Sequence, residues 1–269
     1  MANRIVTLTT DFGWSDPYAG AMKGVILSLA PQVTLVDLSH GVAAHDLLDA
    51  AYTLAQAYSF FPSDTIHLIV VDPGVGTARR PILVRAGTQL LIAPDNGVLS
   101  LVYDQEAELL VRHITASHYF RTNPSQTFHG RDVFAPVAGW LAKGVEPEKF
   151  GDPITDFVRF AIPKPKAAAG EVRGVVLKVD RFGNLITNLT IADLPSLAPD
   201  APEGPAGFSL TVGKGAVTAL HRAYADAAPN EVFAIWGSAG YLELSANRAS
   251  AARLCAADRG AEVVVKLAL

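Results

Sequence analysis

Cysteine is nearly missing from this chain: Cys255 is the single one in 269 residues, so no intrachain disulfide framework exists and a reducing compartment is the expectation. No CxxC pair, HxH or HxxxH spacing occurs either, and no metal is expected. Basic runs are absent too. The chain carries 22 Lys and Arg against 26 Asp and Glu, a net charge of -4, with no dense cationic stretch to track a phosphate backbone, so nucleic acid is not an expected partner. No apolar run reaches membrane-spanning length, and the opening MANRIVTLTTDFG meets Thr9, Thr10 and Asp11 too soon for a signal-peptide core. No membrane contact and a cytoplasmic location are therefore expected.

What is present is a hydrophobic fraction of 50%, enough for a sizeable core in one large domain or two unequal ones. Up to about residue 160, apolar runs (IVTLTT, VTLVDLS, TIHLIVVD, PILVRAG, QLLIAPD) alternate with helical patterns. Several runs are apolar on both faces, as strands of a sheet covered on both sides would be. DPYAGAMKGVILSLAP reads as a helix with Asp16 as N-cap and Pro17 at the first helical position, and AHDLLDAAYTLAQAYSFFP as a second. This predicts an α/β N-terminal domain with a layered sheet over 1–161. The stretch IPKPKAAAGE has no periodicity and reads as a linker over 162–170. Beyond it, GVVLKVD, NLITNLT, GFSLTVG, EVFAIWG, GYLELSA and AEVVVKLAL predict a smaller, mainly β C-terminal domain over 171–269.

Polar residues close the N-terminal strands: Asp11 after the first, Asp72 after TIHLIVV, Asp95 and Asn96 after LLIAP. Ligands of α/β sheets gather beyond the carboxyl ends of the strands, so these residues are expected to converge on one cleft; a turn-forming role is the alternative for each. VVDPGVGTARR, residues 70–80, lacks the third spaced glycine of a dinucleotide fingerprint and the Gly-Lys-Ser/Thr ending of a phosphate loop. Spacing alone leaves two readings, a glycine loop that brings Arg79 near a ligand at Asp72, or Arg79 and Arg80 as a solvated pair. In TFHGRDVFAPVAGWLAKG, residues 127–144, His129 and Gly130 precede a helical stripe, near unpaired amides that favour anions. His40, His45, His67, His113, His118 and His221 show no ligand spacing and read as structural or surface residues.

Taken together, TTDFGWSDPYAGAMKG, VVDPGVGTARR, APDNGVLS, TFHGRDVFAPVA, VDRFGNLITNL and GSAGYLEL resemble the S-adenosyl-L-methionine hydroxide adenosyltransferase family, hydrolases homologous to the fluorinase and chlorinase. The resemblance runs nearly end to end. It implies a barrel-like C-terminal domain and a homotrimer with sites at subunit interfaces. S-adenosyl-L-methionine is then the substrate and no cofactor is needed. Asp72, Arg79 and His129 match the set that holds the attacking water, with Asp72 and His129 expected to accept its proton. Asp11 matches the acid that grips the ribose hydroxyls. Asp180 matches a contact to the methionine ammonium, Asn184 one to the adenine edge, Phe182 and Tyr224 aromatic positions near the adenine, and Ser238 a contact to the amino-acid end. One departure is Gly237, where the family commonly has Asn. The halogenating relatives have tyrosine at the position of Asp72, which favours hydrolysis over a chlorinase or a non-catalytic adenosyl-binding protein.

Overall fold

The computed structural model describes residues 4–168, 170–201 and 207–267. Met1 to Asn3, Ala169 of the expected linker, and Ala268 and Leu269 of the last expected strand lie outside the described residues. The chain divides into two compact units, Met1–Ala161 and Ile162–Leu269.

The first unit runs β1 (Ile5–Thr10), α1 (Tyr18–Leu29), β2 (Thr34–Ser39), α2 (Leu47–Ala55), β3 (Ile66–Val70), β4 (Pro81–Ala86), β5 (Gln89–Pro94), α3 (Ser100–Gln105) and β6 (Leu109–His113). A π-helical turn (Gly130–Phe134) then leads into α4 (Ala135–Ala142), and β7 (Pro153–Ile154) follows. Its seven-stranded sheet has the order β2-β1-β3-β5-β4-β6-β7. β2, β1, β3 and β5 are parallel, whereas β4, β6 and β7 join as antiparallel partners. The central strands β3 and β5 are buried at every residue, which is why they read as unbroken apolar runs. Val6, Leu8, Ile66, Leu68 and Val70 share a core with Met22 and Ile26 of α1 and Val137 and Leu141 of α4. By strand alternation Thr7 and His67 face the other way, joined Oγ1 to Nδ1 at 2.8 Å.

From β1 the chain goes to β2 on one side, then crosses to β3 on the other. The carboxyl ends of β1 and β3 are thus where the strand order reverses and a crevice forms. α1 starts one residue later than the sequence predicts. Pro17 is the N-cap, its carbonyl accepting from Ala21 N at 2.8 Å, and no side chain caps the helix, so Asp16 is left at the crevice. α2 is capped by Asp46, whose Oδ1 accepts from Asp49 N at 3.0 Å. It ends at Ala55, and a separate 3-10 turn, Tyr58–Phe60, carries the rest of the apolar stripe.

The second unit runs β8 (Lys166–Ala168), β9 (Glu171–Val179), β10 (Leu185–Thr190), β11 (Phe208–Val212), β12 (Gly215–Val217), β13 (Leu220–His221), β14 (Val232–Trp236), β15 (Tyr241–Ala246), α5 (Ala251–Cys255) and β16 (Glu262–Leu267). Its sheet has the order β12-β11-β16-β9-β10-β15-β14-β13, with β8 paired to β9. The sheet curls so that β12 lies against β14. Leu185, Leu210, Val212, Val217, Leu242, Leu244, Val263 and Cys255 fill the inside of the curl. β8 falls within the expected linker. All three of its residues are exposed and only backbone pairing to β9 holds it, so its side chains carry no periodic signal.

Candidate functional site

At the crevice beyond β1 and β3 lies a cavity of about 550 Å3 whose lining includes Asp11, Asp72, Phe128, His129 and Gly130, a size that suits a small organic ligand. Asp72 follows the buried strand β3, and the loop after it returns Arg79 against it. Arg79 Nε donates to Asp72 Oδ1 at 3.0 Å and Oδ2 at 2.9 Å, and Nη2 also donates to Oδ2. The side chains are 9% and 5% exposed. The same Nη2 meets His129 Nδ1 at 2.9 Å, and the guanidinium lies 5.1 Å from the centroid of Phe134. The solvated-pair reading of the two arginines fails for both, since Arg80 is bound to Asp95 and Asp156.

Two local features make this geometry possible. Gly76 adopts φ +78° where a Cβ would overlap the Gln126 carbonyl oxygen, so the loop after β3 can press against the segment before His129 only with glycine there. The π-helical turn begins immediately after His129 and widens the first turn of α4, and such turns recur at functional sites.

The electrostatics set the protonation of His129. A guanidinium has donors and no acceptor, so Nδ1 must present its lone pair to Arg79 and the proton of the neutral ring resides on Nε2. Burial first, then the positive charge of Arg79, hold the imidazole below its ordinary pKa, against weaker opposing pulls from Asp72 and Asp132.

Asp11 is nearly buried, 9% exposed, and its Oδ2 accepts from the backbone N of His45 at 2.9 Å. His45 itself holds a left-handed backbone at φ +65° and lines the cavity. It is a candidate that histidine spacing misses; its place just beyond β2, among the strand ends, is the signal that points to it. Phe12, Tyr18 and Phe128 form an aromatic wall with centroid separations of 5.3–5.9 Å, also silent in the sequence. Asp95 and Asn96, expected at the cleft, are not there. Asp95 is tied to Arg80 and to Val158 N, and Asn96 to Val71 O and Val98 N, because β4 inserts antiparallel beside β5 and these residues close its end.

The other candidates lie in the second unit, where Asp180, Phe182, Asn184 and Tyr224 line a cavity of about 480 Å3. Asp180 Oδ1 accepts from Phe182 N at 2.9 Å and Asn184 N at 2.8 Å, and Oδ2 accepts from Asn184 Nδ2 at 2.8 Å. This closes the β9–β10 turn and projects Phe182, 76% exposed, beside Tyr224, 48% exposed. Ser238 is apart from this group, exposed in the turn between β14 and β15.

Fold and site together define an α/β protein with a small-molecule cavity and a buried acid–guanidinium–imidazole cluster, followed by a curled β unit with an aromatic-lipped cavity. Residues 6–151 match the model of the SAM hydroxide adenosyltransferase N-terminal domain and residues 174–264 that of the C-terminal domain. The chain belongs to this two-domain family. It is similar to a curated (R)-S-adenosyl-L-methionine hydrolase of Thermus thermophilus, 37% identical over 92% of this chain and 94% of the relative, and to one of Salinispora tropica, 36% identical over 95% of each. A fluorinase of Nocardia brasiliensis is more distant, 28% identical over 98% of this chain and 97% of its own. Among solved structures, an uncharacterized conserved protein from Thermotoga maritima superposes with a TM-score of 0.89 at 33% identity, covering 97% of this chain and 99% of that one.

Proposed function

We propose that this protein hydrolyses (R)-S-adenosyl-L-methionine to adenosine and L-methionine. The observation that carries the reading is the buried Asp72–Arg79–His129 cluster at a cavity of ligand size, in a chain whose hydrolase relatives match it over nearly its whole length. The sulfonium is a good leaving group, so the reaction calls for a nucleophile rather than an acid or a cofactor. Water oxygen forms the new bond to the ribose 5'-carbon, the carbon–sulfur bond breaks, and its electron pair stays on the sulfur of methionine. One water proton must depart.

His129 does not take that proton. Its Nδ1 lone pair is engaged by Arg79, and its Nε2–H donates to the water oxygen, fixing the direction of the attacking lone pair. Asp72 retains one acceptor position, on Oδ1, beyond those Arg79 uses and takes the proton. Arg79 holds both partners in place and offsets charge as hydroxide character develops. A carboxylate here also disfavours a halide nucleophile by repulsion. Asp11 would receive the ribose hydroxyls. Asp180, Asn184, Phe182, Tyr224 and Ser238 would receive the adenine and amino-acid ends.

In this reading the chain works as two domains, 1–161 and 171–269, joined through 162–170. Helices layer the first sheet, and the second is barrel-like, which the approach of β12 to β14 supports. Neighbouring copies of a cytoplasmic homotrimer supply the two faces of each site; sedimentation at three chain masses is the expected result. The decisive experiment is turnover in 18O-labelled water. Label in the adenosine 5'-hydroxyl with unlabelled methionine is expected. A 5'-chloro nucleoside at high chloride, or tight binding with no product, overturns the reading.

A further inference from the structure

Between α1 and β2 the first unit carries a chain of paired side chains that the cluster at Asp72 does not use. His40, the residue after β2, is fully buried. Its Nε2 donates to Asp37 Oδ1 at 2.9 Å, and Lys23 of α1 donates from Nζ to Asp37 Oδ2 at 2.6 Å. On the other side of the ring, Nδ1 lies 2.8 Å from Oγ1 of Thr10, the last residue of β1 and also fully buried. The edge of Trp14 covers the imidazole, with 4.8 Å between ring centroids. Both ring nitrogens are engaged, so the ring cannot turn without leaving a buried polar atom unpaired.

A strand irregularity makes the chain possible. Residues three apart in a regular strand face opposite sides of the sheet, which would keep Asp37 and His40 apart. Here Leu8 pairs with Asp37 but Thr9 pairs with Ser39, leaving Leu38 as an extra residue in β2, and His40 comes round to the side of Asp37. Bulges of this kind re-aim side chains next to functional sites. The far end of the chain is the backbone of the cavity wall. Phe12 N donates to Thr10 Oγ1 at 3.3 Å, and Gly13, whose φ of +66° suits glycine, donates its N–H to the His40 carbonyl at 2.8 Å. Asp11 sits between these ties and is held from the other side by His45 N. A buried polar network with its members satisfied fixes one geometry, and what it fixes here is the direction of one carboxylate. Among the described residues Asp11 keeps Oδ1 and a second acceptor position on Oδ2 open, the arrangement that two neighbouring hydroxyls complement.

We infer that His40 is a positioning residue for ribose recognition: through Thr10 and Gly13 it holds Asp11 at the angle at which both carboxylate oxygens accept from a vicinal diol, while the Lys23–Asp37 pair holds the imidazole. The inference deepens the reading proposed above, on which it rests, and gives a task to a histidine whose spacing in the sequence points to none. His40 touches no ligand in this arrangement; it acts only through the carboxylate it aims.

Calorimetric affinities for adenosine and for 2',3'-dideoxyadenosine, which keeps the base and the 5'-hydroxyl but lacks the diol, test this without turnover. The wild type should prefer adenosine. Thr10→Val, which keeps the side-chain shape and removes the hydroxyl, is expected to weaken adenosine about 10-fold, the lower range for a lost hydrogen bond to a charged group, and to leave the dideoxy ligand nearly unchanged. Thr10→Ser, which restores the hydroxyl, should keep the wild-type preference. Asp37→Asn, at a partly exposed side chain, should act in the same direction as Thr10→Val and supplies the comparison if that variant does not fold. In an Asp11→Asn background Thr10→Val should add no further loss, because its effect runs through that carboxylate. Equal weakening of both ligands, wild-type affinities in Thr10→Val and Asp37→Asn, a Thr10→Ser protein that behaves like Thr10→Val, a further loss in the Asp11→Asn background, or a wild type without the preference overturns the inference. Adenosine production from S-adenosyl-L-methionine by the wild type, measured separately, decides the hydrolase reading whatever these affinities show.

Discussion

Arg79 sits between a carboxylate and an imidazole, and the direction of its hydrogen bonds divides the labour of the cluster. Asp72→Asn keeps the shape of the side chain and removes the proton acceptor. Its kcat for adenosine formation should fall by about 10²- to 10⁴-fold, while the affinity for S-adenosyl-L-homocysteine changes little; single-turnover assays and calorimetry check the two halves. Protonated His129 would put a second positive charge against Arg79 and break the Nδ1 contact. Because burial and Arg79 lower its pKa, the ring takes up its proton only at a lower pH than an ordinary histidine. The acid limb of the pH–kcat profile should therefore fall below pH 6.5, and a limb at or above that value would contradict the assigned tautomer.

The loop after β3 and the segment before His129 that leads into the π-helical turn act as a matched pair of elements, pressed together at Gly76. Gly76→Ala would strain a left-handed backbone and clash with Gln126, costing about 1–3 kcal/mol and withdrawing Arg79 from His129. Thermal denaturation should show the first effect, and a loss of kcat with little change in ligand affinity the second. These elements also mark how far sequence alone reaches. β1, β3, β4 and β5 are legible because their apolar runs are largely buried; Asp72 stands out as a polar residue at the end of such a run and His129 as one ahead of a helical stripe, whereas spacing leaves Arg79 open and only the family resemblance brings it in. The π-helical turn is not legible, since Val133, Val137 and Leu141 keep an apolar stripe whether the first turn is α or π. β8 is invisible because nothing covers its side chains. Glu243 is hidden in plain alternation, where an acid between two leucines reads as a solvent-facing strand position until the sheet is seen to bury it.

At the scale of the molecule, one buried acid of the second unit makes stability depend on pH. Glu243 has a folded pKa raised from 4.5 to about 7, so the folded state holds a proton that the unfolded chain has already released. The stability this provides is fully present below pH 4.5 and lost as pH rises through about 7, on the order of 3 kcal/mol across the window. Chemical denaturation of the ligand-free protein should show that decline between pH 5 and 8, and Glu243→Gln should flatten it; an unchanged slope in the variant would place the raised pKa elsewhere.

Cys255 closes α5 inside the curl of the second sheet, fully buried and alone of its kind in the chain. Its thiol is pushed above its usual pKa by burial, so a thiol reagent meets neither an exposed sulfur nor a ready thiolate while the curl is shut. The lone thiol is thus a clock already installed in one unit. The rate at which it is alkylated under native conditions times the opening of that unit and is silent about the other.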